Sequence, residues 1–428
     1  MASRFPSLGA ALLALALPPL FTHIRYQPTF DIGAATVQLS DVMLLVVGGY
    51  ALVAYRRELG RLRPARSVWL ATGALFAWIL LATLYGKHEW SGYRLGKHLL
   101  SAAKWEEYVL LAIVPALVLR ARRDEHLVFG MLAAWVGLAA VVGVTQFFGA
   151  DWFQAWGAGS RQPSFVGTHD LAAVGGAALL AGLVALVLDA PLFPSRTWAW
   201  SCFAVGFAAF VLGGASAGIL GLVPAGIALV LVARSRRVLL IAATIAIASV
   251  GVLAIRSKDV ADFTRFLGLR QEEQPKGVQT YAQRTMLAYL GTRVWLDHPV
   301  LGVGWHGTDE FHNLRPYVDD LHRRWPNQVA QSYPSPAHPY GVQTLYLEAL
   351  ADLGAIGFVG LLAFFGTALW VAWRGPPPLA TVGLTWILLV MGLWTAEGFT
   401  SGIPLDAVTW LGVGFAVAAA CRVATVRT

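Results

Sequence analysis

The chain is poor in charged residues. Only 13% of its 428 residues are charged, whereas 57% are hydrophobic. A soluble protein of this length could not cover so much apolar surface with so few charges. Apolar stretches of about 20 residues recur instead, and each is long enough to cross a bilayer. Transmembrane strands would need short segments in which apolar and polar residues alternate, which differ from these long apolar stretches. The composition therefore predicts an all-α polytopic membrane protein.

Cysteine is also scarce. Cys202 and Cys421 lie far apart in apolar stretches, which excludes a disulfide framework and a cysteine metal site. The net charge of +8 does not indicate nucleic-acid binding, because basic residues collect in the cytoplasmic loops of membrane proteins. The N-terminal hydrophobic stretch has no clear small-residue cleavage site, so we expect it to remain as a first helix and not to be removed as a signal peptide.

The hydropathy pattern predicts about twelve transmembrane helices. Arginine-dense segments at 55–66, 120–125 and 233–237 all fall on one side of the predicted topology. That side is therefore expected to be cytoplasmic and to hold both termini. The predicted spans are residues 7–23, 38–55, 67–85, 99–120, 126–148, 169–189, 197–214, 216–233, 237–255, 353–373, 379–397 and 403–421.

One connection on the opposite, periplasmic side is much longer than the others. Loops of this length usually have a function or structure of their own. Apolar residues at helical spacing predict helices over 281–299 and 308–325, and a further amphipathic helix that leads into the tenth span. The chain is thus divided into helices 1–9 (1–255), a structured loop (256–352) and helices 10–12 (353–428).

A histidine stands at the start of that last amphipathic segment. His338 lies between Pro336 and Pro339, which stiffen the backbone. A solvated loop histidine is the commoner interpretation of such a residue. At the edge of the membrane, however, a neutral imidazole can accept a proton from a hydroxyl group, and the placement favours this role.

The external segments contain more arginines than membrane orientation requires. A guanidinium group can hold a diphosphate through paired hydrogen bonds. For any single arginine, a solvated charge or a lipid head-group contact is the simpler interpretation, but the set near one histidine indicates an anion site. The arginines are Arg161, Arg256, Arg265, Arg270, Arg284 and Arg293.

Carboxylates that could converge on a metal ion are not evident in the sequence. The adjacent pair Asp319–Asp320 lies beside Arg323 and Arg324, where ion pairing is the simpler explanation. A Mg²⁺ site normally needs several convergent carboxylates. We therefore predict a metal-independent reaction without a cofactor.

Charged residues also occur inside the fourth predicted span. Intramembrane charges are costly and usually face a cavity or one another. An ion pair between Lys104 and Glu107, one helical turn apart, is the simpler interpretation. Support of an active-site cavity is the alternative.

Three segments resemble the O-antigen ligase and polymerase superfamily. "HPYGVQTLYLEALADLGAIGFVG" (338–360) resembles its signature, in which a histidine precedes a helix of the form L-x-x-L-x-E-x-G-x-x-G. "QRTMLAYLGTRVWLDHPVLGVGWHGTDEF" (283–311) is similar to an upstream block with an arginine and a glycine-rich turn. "RQPSFVGTHDLAA" (161–173) resembles an arginine loop. Here Thr168 and Pro339 stand where the superfamily often has asparagine.

The resemblance implies a fold of the C-class glycosyltransferase type in the bacterial inner membrane, with a periplasmic active site. Members move a glycan from undecaprenyl diphosphate to an acceptor. The expected partners are this lipid-linked donor, a lipid A–core acceptor and membrane lipid, without nucleic acid. The site residues expected are His338 as the catalytic base, Arg161 and Arg284 at the diphosphate, Arg265 as a weaker candidate outside any motif, and His169, Lys104, Glu107 and Tyr340 as support.

The acceptor remains open at this point. An O-antigen ligase is the first hypothesis. An O-antigen polymerase or a protein O-oligosaccharyltransferase would share the same structural core. A lipid-linked glycan transporter is the alternative from another class. Against a transporter, the two halves of the chain show no matching broken helices, and transport does not need a long structured loop with a histidine.

Overall fold

The computed structural model describes residues 5–32, 35–233, 237–269, 277–399 and 402–426. Arg270 and most of the predicted basic loop at 233–237 lie outside these ranges. The regular structure is almost entirely helical, as predicted. The helices are α1 (Leu8–Leu20), α2 (Leu39–Ala54), α3 (Arg66–Glu89), α4 (Leu95–Glu107), α5 (Val109–Val118), α6 (Arg122–Phe147), α7 (Thr168–Val187), α8 (Arg196–Gly213), α9 (Ser216–Ala233), α10 (Val238–Ile255), α11 (Ser257–Phe266), α12 (Thr280–Asp297), α13 (Phe311–Arg324), α14 (Leu345–Arg374), α15 (Leu379–Leu393) and α16 (Ile403–Val426).

Short elements occupy several connections. Strands β1 (Thr29–Ile32) and β2 (Ala35–Gln38) pair antiparallel between α1 and α2, with Thr29 opposite Gln38. The all-α prediction did not include this hairpin, which follows a β-branched and aromatic pattern. The 3₁₀ helices are Ile24–Tyr26, Arg56–Ala65, Gly307–Asp309 and Ala330–Ser332.

The helices identify a multi-pass membrane protein. Among the described residues, eight helices are long and apolar enough to cross a bilayer: α3 with the 3₁₀ segment before it, α6 to α10, α14 and α16. Three further predicted spans form the shorter apolar helices α1, α2 and α15. The fourth predicted span, 99–120, is divided into α4 and α5 at Tyr108. The number of twelve spans and the division into three segments stay predictions.

The centre of the bundle is α7, which is buried along almost its whole length. Glycines let it pack closely against α8. A Cβ atom added at Gly206 would lie 2.3 Å from the backbone nitrogen of Leu179, and one at Gly175 would lie 2.5 Å from that of Phe210. Small residues of this kind allow helix backbones to approach closely in membranes. The tight contact fixes the N-terminal end of α7, where His169 lies.

The predicted amphipathic helix and the tenth span form one element, α14, with an interruption at Gly354. This glycine adopts φ 66° and ψ −172°, which favours a residue without Cβ. A Cβ atom there would lie 2.1 Å from the carbonyl oxygen of Val300. The next amide, that of Ala355, donates to the carbonyl oxygen of Pro299. The interruption at Gly354 therefore lets the turn that follows α12 pack against the first part of α14.

The long external loop contains the helices that its periodicity predicted. The expected helix 281–299 is α12, and the expected helix 308–325 is α13. They pack on a small core of their own that includes Met286, Leu290 and Leu321. The sequence did not predict α11, which has no buried residue.

Candidate functional site at the external end of the bundle

Three arginines from different parts of the chain meet near the N-terminal end of α7. Arg161 lies in the loop before α7, Arg256 at the start of α11 and Arg284 on α12. Arg161 and Arg256 both pack beside Gly214, which connects α8 to α9. Arg256 donates from Nη1 to the carbonyl oxygen of Gly214 over 3.1 Å and pairs with Asp259. We call Arg161, Arg256 and Arg284 the arginine cluster.

Arg161 is the member of the cluster that has no carboxylate partner among the described residues. It is 7% exposed, and its Nε and Nη1 atoms are buried without a hydrogen-bond partner. Its guanidinium carbon lies 4.1 Å from the centre of the Trp156 ring. Burial is the largest cause that lowers its pKa, and the charges of Arg256 and Arg284 lower the pKa further, to about 10. Arg161 is therefore still a cation at neutral pH.

Arg284 is held by two groups from other elements. Its Nη2 atom lies 3.3 Å from Nε2 of His169 and donates to Oε1 of Glu397 over 3.2 Å. The same oxygen of Glu397, which follows α15, lies 3.2 Å from Nδ1 of His169. These contacts connect α7, α12 and the segment between α15 and α16. One carboxylate faces an arginine and a histidine here, so the charge near Arg284 remains positive whenever His169 is protonated and is balanced when it is neutral.

A cavity of about 340 Å³ opens beside Arg284. Arg284 and Glu397 lie at one part of its wall, and His306, Asp309 and Glu348 at another. Tyr340, Val342, Gln343, Gly398 and Phe399 complete the lining. The volume is within the range of pockets that bind small ligands. An anionic group that enters this cavity can reach Arg284.

A second polar cluster forms where the turn after α12 meets the first part of α14. Nδ1 of His306 lies 3.1 Å from Oε1 of Glu348 and 3.4 Å from Oδ2 of Asp309. Burial, the largest single influence, would lower the pKa of His306, but hydrogen bonds and charge interactions with the two carboxylates outweigh it and raise the pKa to about 10. Asp352, one helical turn beyond Glu348, is also fully buried here.

Part of the chain matches a known family model. Residues 200–362 match the family model described as O-antigen ligase. Over this segment the chain is similar to that family. No curated protein sequence matches the chain. The match includes Arg256, Arg284, His306 and the first part of α14, but not Arg161. The superfamily is one of glycosyltransferase-like enzymes that use lipid-linked glycans and lipid acceptors.

The structure brings several of the predicted site residues together. Arg161, Arg284 and His169 form one region, and Tyr340 lines the cavity beside Arg284. Arg265 is not joined to them: it pairs with Asp262 of its own helix, and in the described parts of the chain its hydrogen bonds and ion pairs do not reach the arginine cluster.

His338 lies outside the wall of the cavity. Its side chain is exposed, and its ring is stacked on that of Tyr340 with 6.0 Å between the ring centres. Its backbone closes a tight turn with Ser335 through two hydrogen bonds of 3.0 Å. Tyr340 does reach the cavity, and its hydroxyl donates to the carbonyl oxygen of Gln331. His338 thus contacts a residue that lines the cavity, and its side chain is accessible to a large substrate.

The charged residues of the fourth predicted span form a separate group. Nζ of Lys104 lies 3.1 Å from Oδ2 of Asp41 on α2, so Lys104 pairs with Asp41 and not with Glu107 as the sequence suggested. Glu107 has one buried oxygen without a hydrogen-bond partner among the described residues. This group joins α2 to α4, and none of its members lines the cavity beside Arg284.

Sequence reasoning missed the cluster of His306, Glu348 and Asp352. A signal was present, because Glu348 and Asp352 are four residues apart on one helix and therefore lie on one face. His306 follows a glycine-rich turn, and nothing in its local sequence indicates that the turn lies against α14.

Proposed function

We propose that the chain is an O-antigen ligase, which transfers a glycan from undecaprenyl diphosphate to a lipid A–core oligosaccharide. The observation that carries the proposal is the buried guanidinium group of Arg161, which lies beside two further arginines and has no carboxylate partner among the described residues. A buried charge without a partner is costly unless a ligand compensates it. A diphosphate fits, because its oxygens accept paired hydrogen bonds from guanidinium groups.

The reaction is a single displacement at the anomeric carbon of the glycan. A hydroxyl oxygen of the acceptor forms the new bond, and the bond between the anomeric carbon and the diphosphate oxygen breaks. Undecaprenyl diphosphate leaves with the electron pair of that bond, so the anomeric configuration is inverted. Arg161 and Arg284 stabilise the negative charge that develops on the leaving oxygen. His169 and Glu397 hold Arg284 in place.

His338 is proposed to accept the proton of the attacking hydroxyl. Its exposed ring, which is stacked on the cavity-lining Tyr340, supports this role, because the acceptor must approach from outside the bundle. A large oligosaccharide acceptor would bring its hydroxyl past Tyr340. We propose no metal ion in the transfer step, since the arginines supply the positive charge that the diphosphate needs.

The active site is proposed to face the periplasm, in a C-class glycosyltransferase fold of the inner membrane. The arginine cluster and the cavity lie at the end of the bundle opposite the arginine-dense connections at 55–66 and 120–125. Those connections are expected to be cytoplasmic, together with both termini. The lipid tail of the donor would remain in the bilayer while its diphosphate reaches the cluster.

The test is the product formed by the full chain in reconstituted vesicles. Vesicles contain a labelled undecaprenyl diphosphate glycan and one of three acceptors: lipid A–core, a second lipid-linked glycan, or a protein substrate. We expect label on lipid A–core. Label on the second glycan would identify a polymerase instead, and label on protein an O-oligosaccharyltransferase. Movement of the donor across the bilayer without a product would identify a transporter.

A further inference from the structure

Three buried side chains outside the arginine cluster are arranged like the ligands of one ion. His306, Glu348 and Asp352 each offer a ligand atom, and these atoms all lie within 4.8 Å of one another. Ligands at about 2.0–2.2 Å from a common ion are at most about 4.4 Å apart. The bound of 4.8 Å is slightly above this limit, so side-chain rotations would have to bring the three atoms onto one ion.

Backbone amides orient both carboxylates. The amide of Phe399 donates to Oε2 of Glu348 over 2.5 Å, and Oε1 then faces His306. The amide of Thr308 donates to Oδ1 of Asp352 over 2.9 Å. Oδ2 of Asp352 is buried and has no hydrogen-bond partner among the described residues. Carboxylates that ligate metals are commonly held through their second oxygen in this way.

Hydrogen bonds also hold the backbone around His306 in one conformation. His306 adopts the left-handed conformation with φ 52°, which a residue of this size adopts rarely. The amides of Val303 and Gly304 donate to the carbonyl oxygens of Ala351 and Asp352 over 2.9 Å each. The turn that carries His306 is therefore bound to the helix that carries both carboxylates.

The cluster contains more acidic groups than basic ones. Asp309, Glu348 and Asp352 contribute up to three negative charges, and His306 contributes at most one positive charge. Buried carboxylates without compensation are costly. A bound divalent cation would supply the missing positive charge at the place where the three ligand atoms meet.

We propose that His306, Glu348 and Asp352 bind one divalent cation. One imidazole nitrogen with carboxylate oxygens suits Zn²⁺ or Mn²⁺ better than Mg²⁺ or Ca²⁺, which prefer oxygen ligands alone. The cation would fasten the turn after α12 to α14 at the wall of the cavity. It is a binding and stabilising site, and it does not depend on the transfer reaction or on the arginine cluster.

The experiment measures binding of the metal alone to the full chain in detergent. The protein is stripped with a chelator, washed, and titrated with Zn²⁺, Mn²⁺ or Mg²⁺ by calorimetry. We expect one equivalent of Zn²⁺ or Mn²⁺ with little binding of Mg²⁺, and a higher unfolding temperature of the loaded protein, because a ligand of the folded state stabilises it. Absence of one-equivalent binding by the wild-type protein would overturn the proposal.

Variants separate this site from adventitious binding to other histidines. Asp352→Asn keeps the shape of the side chain and an oxygen for the Thr308 amide, and it should weaken binding by about 100-fold or more. Glu348→Gln should do the same. Asp319→Asn, the same change at an exposed carboxylate, should bind like the wild type. Equal binding by the wild type and both site variants would mean adventitious metal and would also overturn the proposal.

Discussion

Nη2 of Arg284 lies 3.3 Å from Nε2 of His169, although the two residues are 115 positions apart in the chain. Glu397 contacts both of them from a third part of the chain. The contact ties the long external loop to the most buried helix of the bundle. It places a guanidinium group at the wall of the cavity, where substitutions can test the proposed diphosphate site directly.

Replacement of the cluster arginines by lysine should reduce turnover. We expect Arg161→Lys and Arg284→Lys each to lower kcat by about 10- to 100-fold, which corresponds to one lost charged hydrogen bond of about 1.5–3 kcal/mol. Lysine keeps the charge but cannot form the paired bonds. Since these bonds strengthen as the diphosphate leaves, kcat should fall more than KM rises. Transfer from the lipid-linked donor is the measurement.

A matched control for the lysine variants lies on the same helix. Arg293 is on α12 like Arg284, but its side chain is exposed. Arg293→Lys should leave turnover unchanged. Arg265→Lys should have a smaller effect than the cluster variants, because Arg265 pairs with Asp262. Near-normal turnover of both cluster variants would contradict the diphosphate site.

Removal of the His338 imidazole should abolish most transfer. Loss of a general base typically costs about 10²–10⁴-fold in rate, and we expect the rate of His338→Ala to fall by this factor. The variant should fold normally, because the side chain is exposed. The rate is measured on purified protein, with His88→Ala as a control at another exposed histidine. If His338→Ala transfers at the wild-type rate, His338 is not the group that takes the proton.

Transfer should continue in EDTA. The arginine cluster supplies the positive charge for the diphosphate, so removal of metal should change the transfer rate by less than about twofold. The assay temperature must lie below the temperature at which the metal-free protein unfolds. The assay compares treated and untreated protein. Strong inhibition that Mg²⁺ or Mn²⁺ reverses would show that a metal ion takes part in the reaction.

Gly206→Ala should destabilise the bundle. The added Cβ would meet the backbone nitrogen of Leu179 at 2.3 Å, so α7 and α8 must separate, which costs about 1–3 kcal/mol. A lower unfolding temperature in detergent is the expected result. Gly366→Ala on α14 is the control, since no atom lies within 4 Å of its added Cβ. Equal stability of the two variants would mean that the α7–α8 contact can relax without cost.

The sequence by itself determined the membrane class and most helices. These features follow from local composition, because long apolar stretches require helices in lipid. The spacing of apolar residues in 281–299 and 308–325 likewise indicates the apolar faces of α12 and α13. The sequence listed Arg161 and Arg284 among the external arginines, and the resemblance to the superfamily singled these two out. Their role at a diphosphate stays a prediction. The sequence also placed His338 near the start of a helix, and the role of His338 as the catalytic base stays a prediction.

Only the tertiary structure decided which of these residues meet. Arg265 belongs to the same set of external arginines as Arg284, but the direction of α11 pairs it with Asp262 and leaves it outside the cluster. Lys104 finds Asp41 on another helix, although Glu107 is nearer in sequence. His306, Glu348 and Asp352 converge because Gly354 lets the turn after α12 lie against α14. Such contacts depend on how helices pack, and packing between distant segments leaves no periodic signal in the chain.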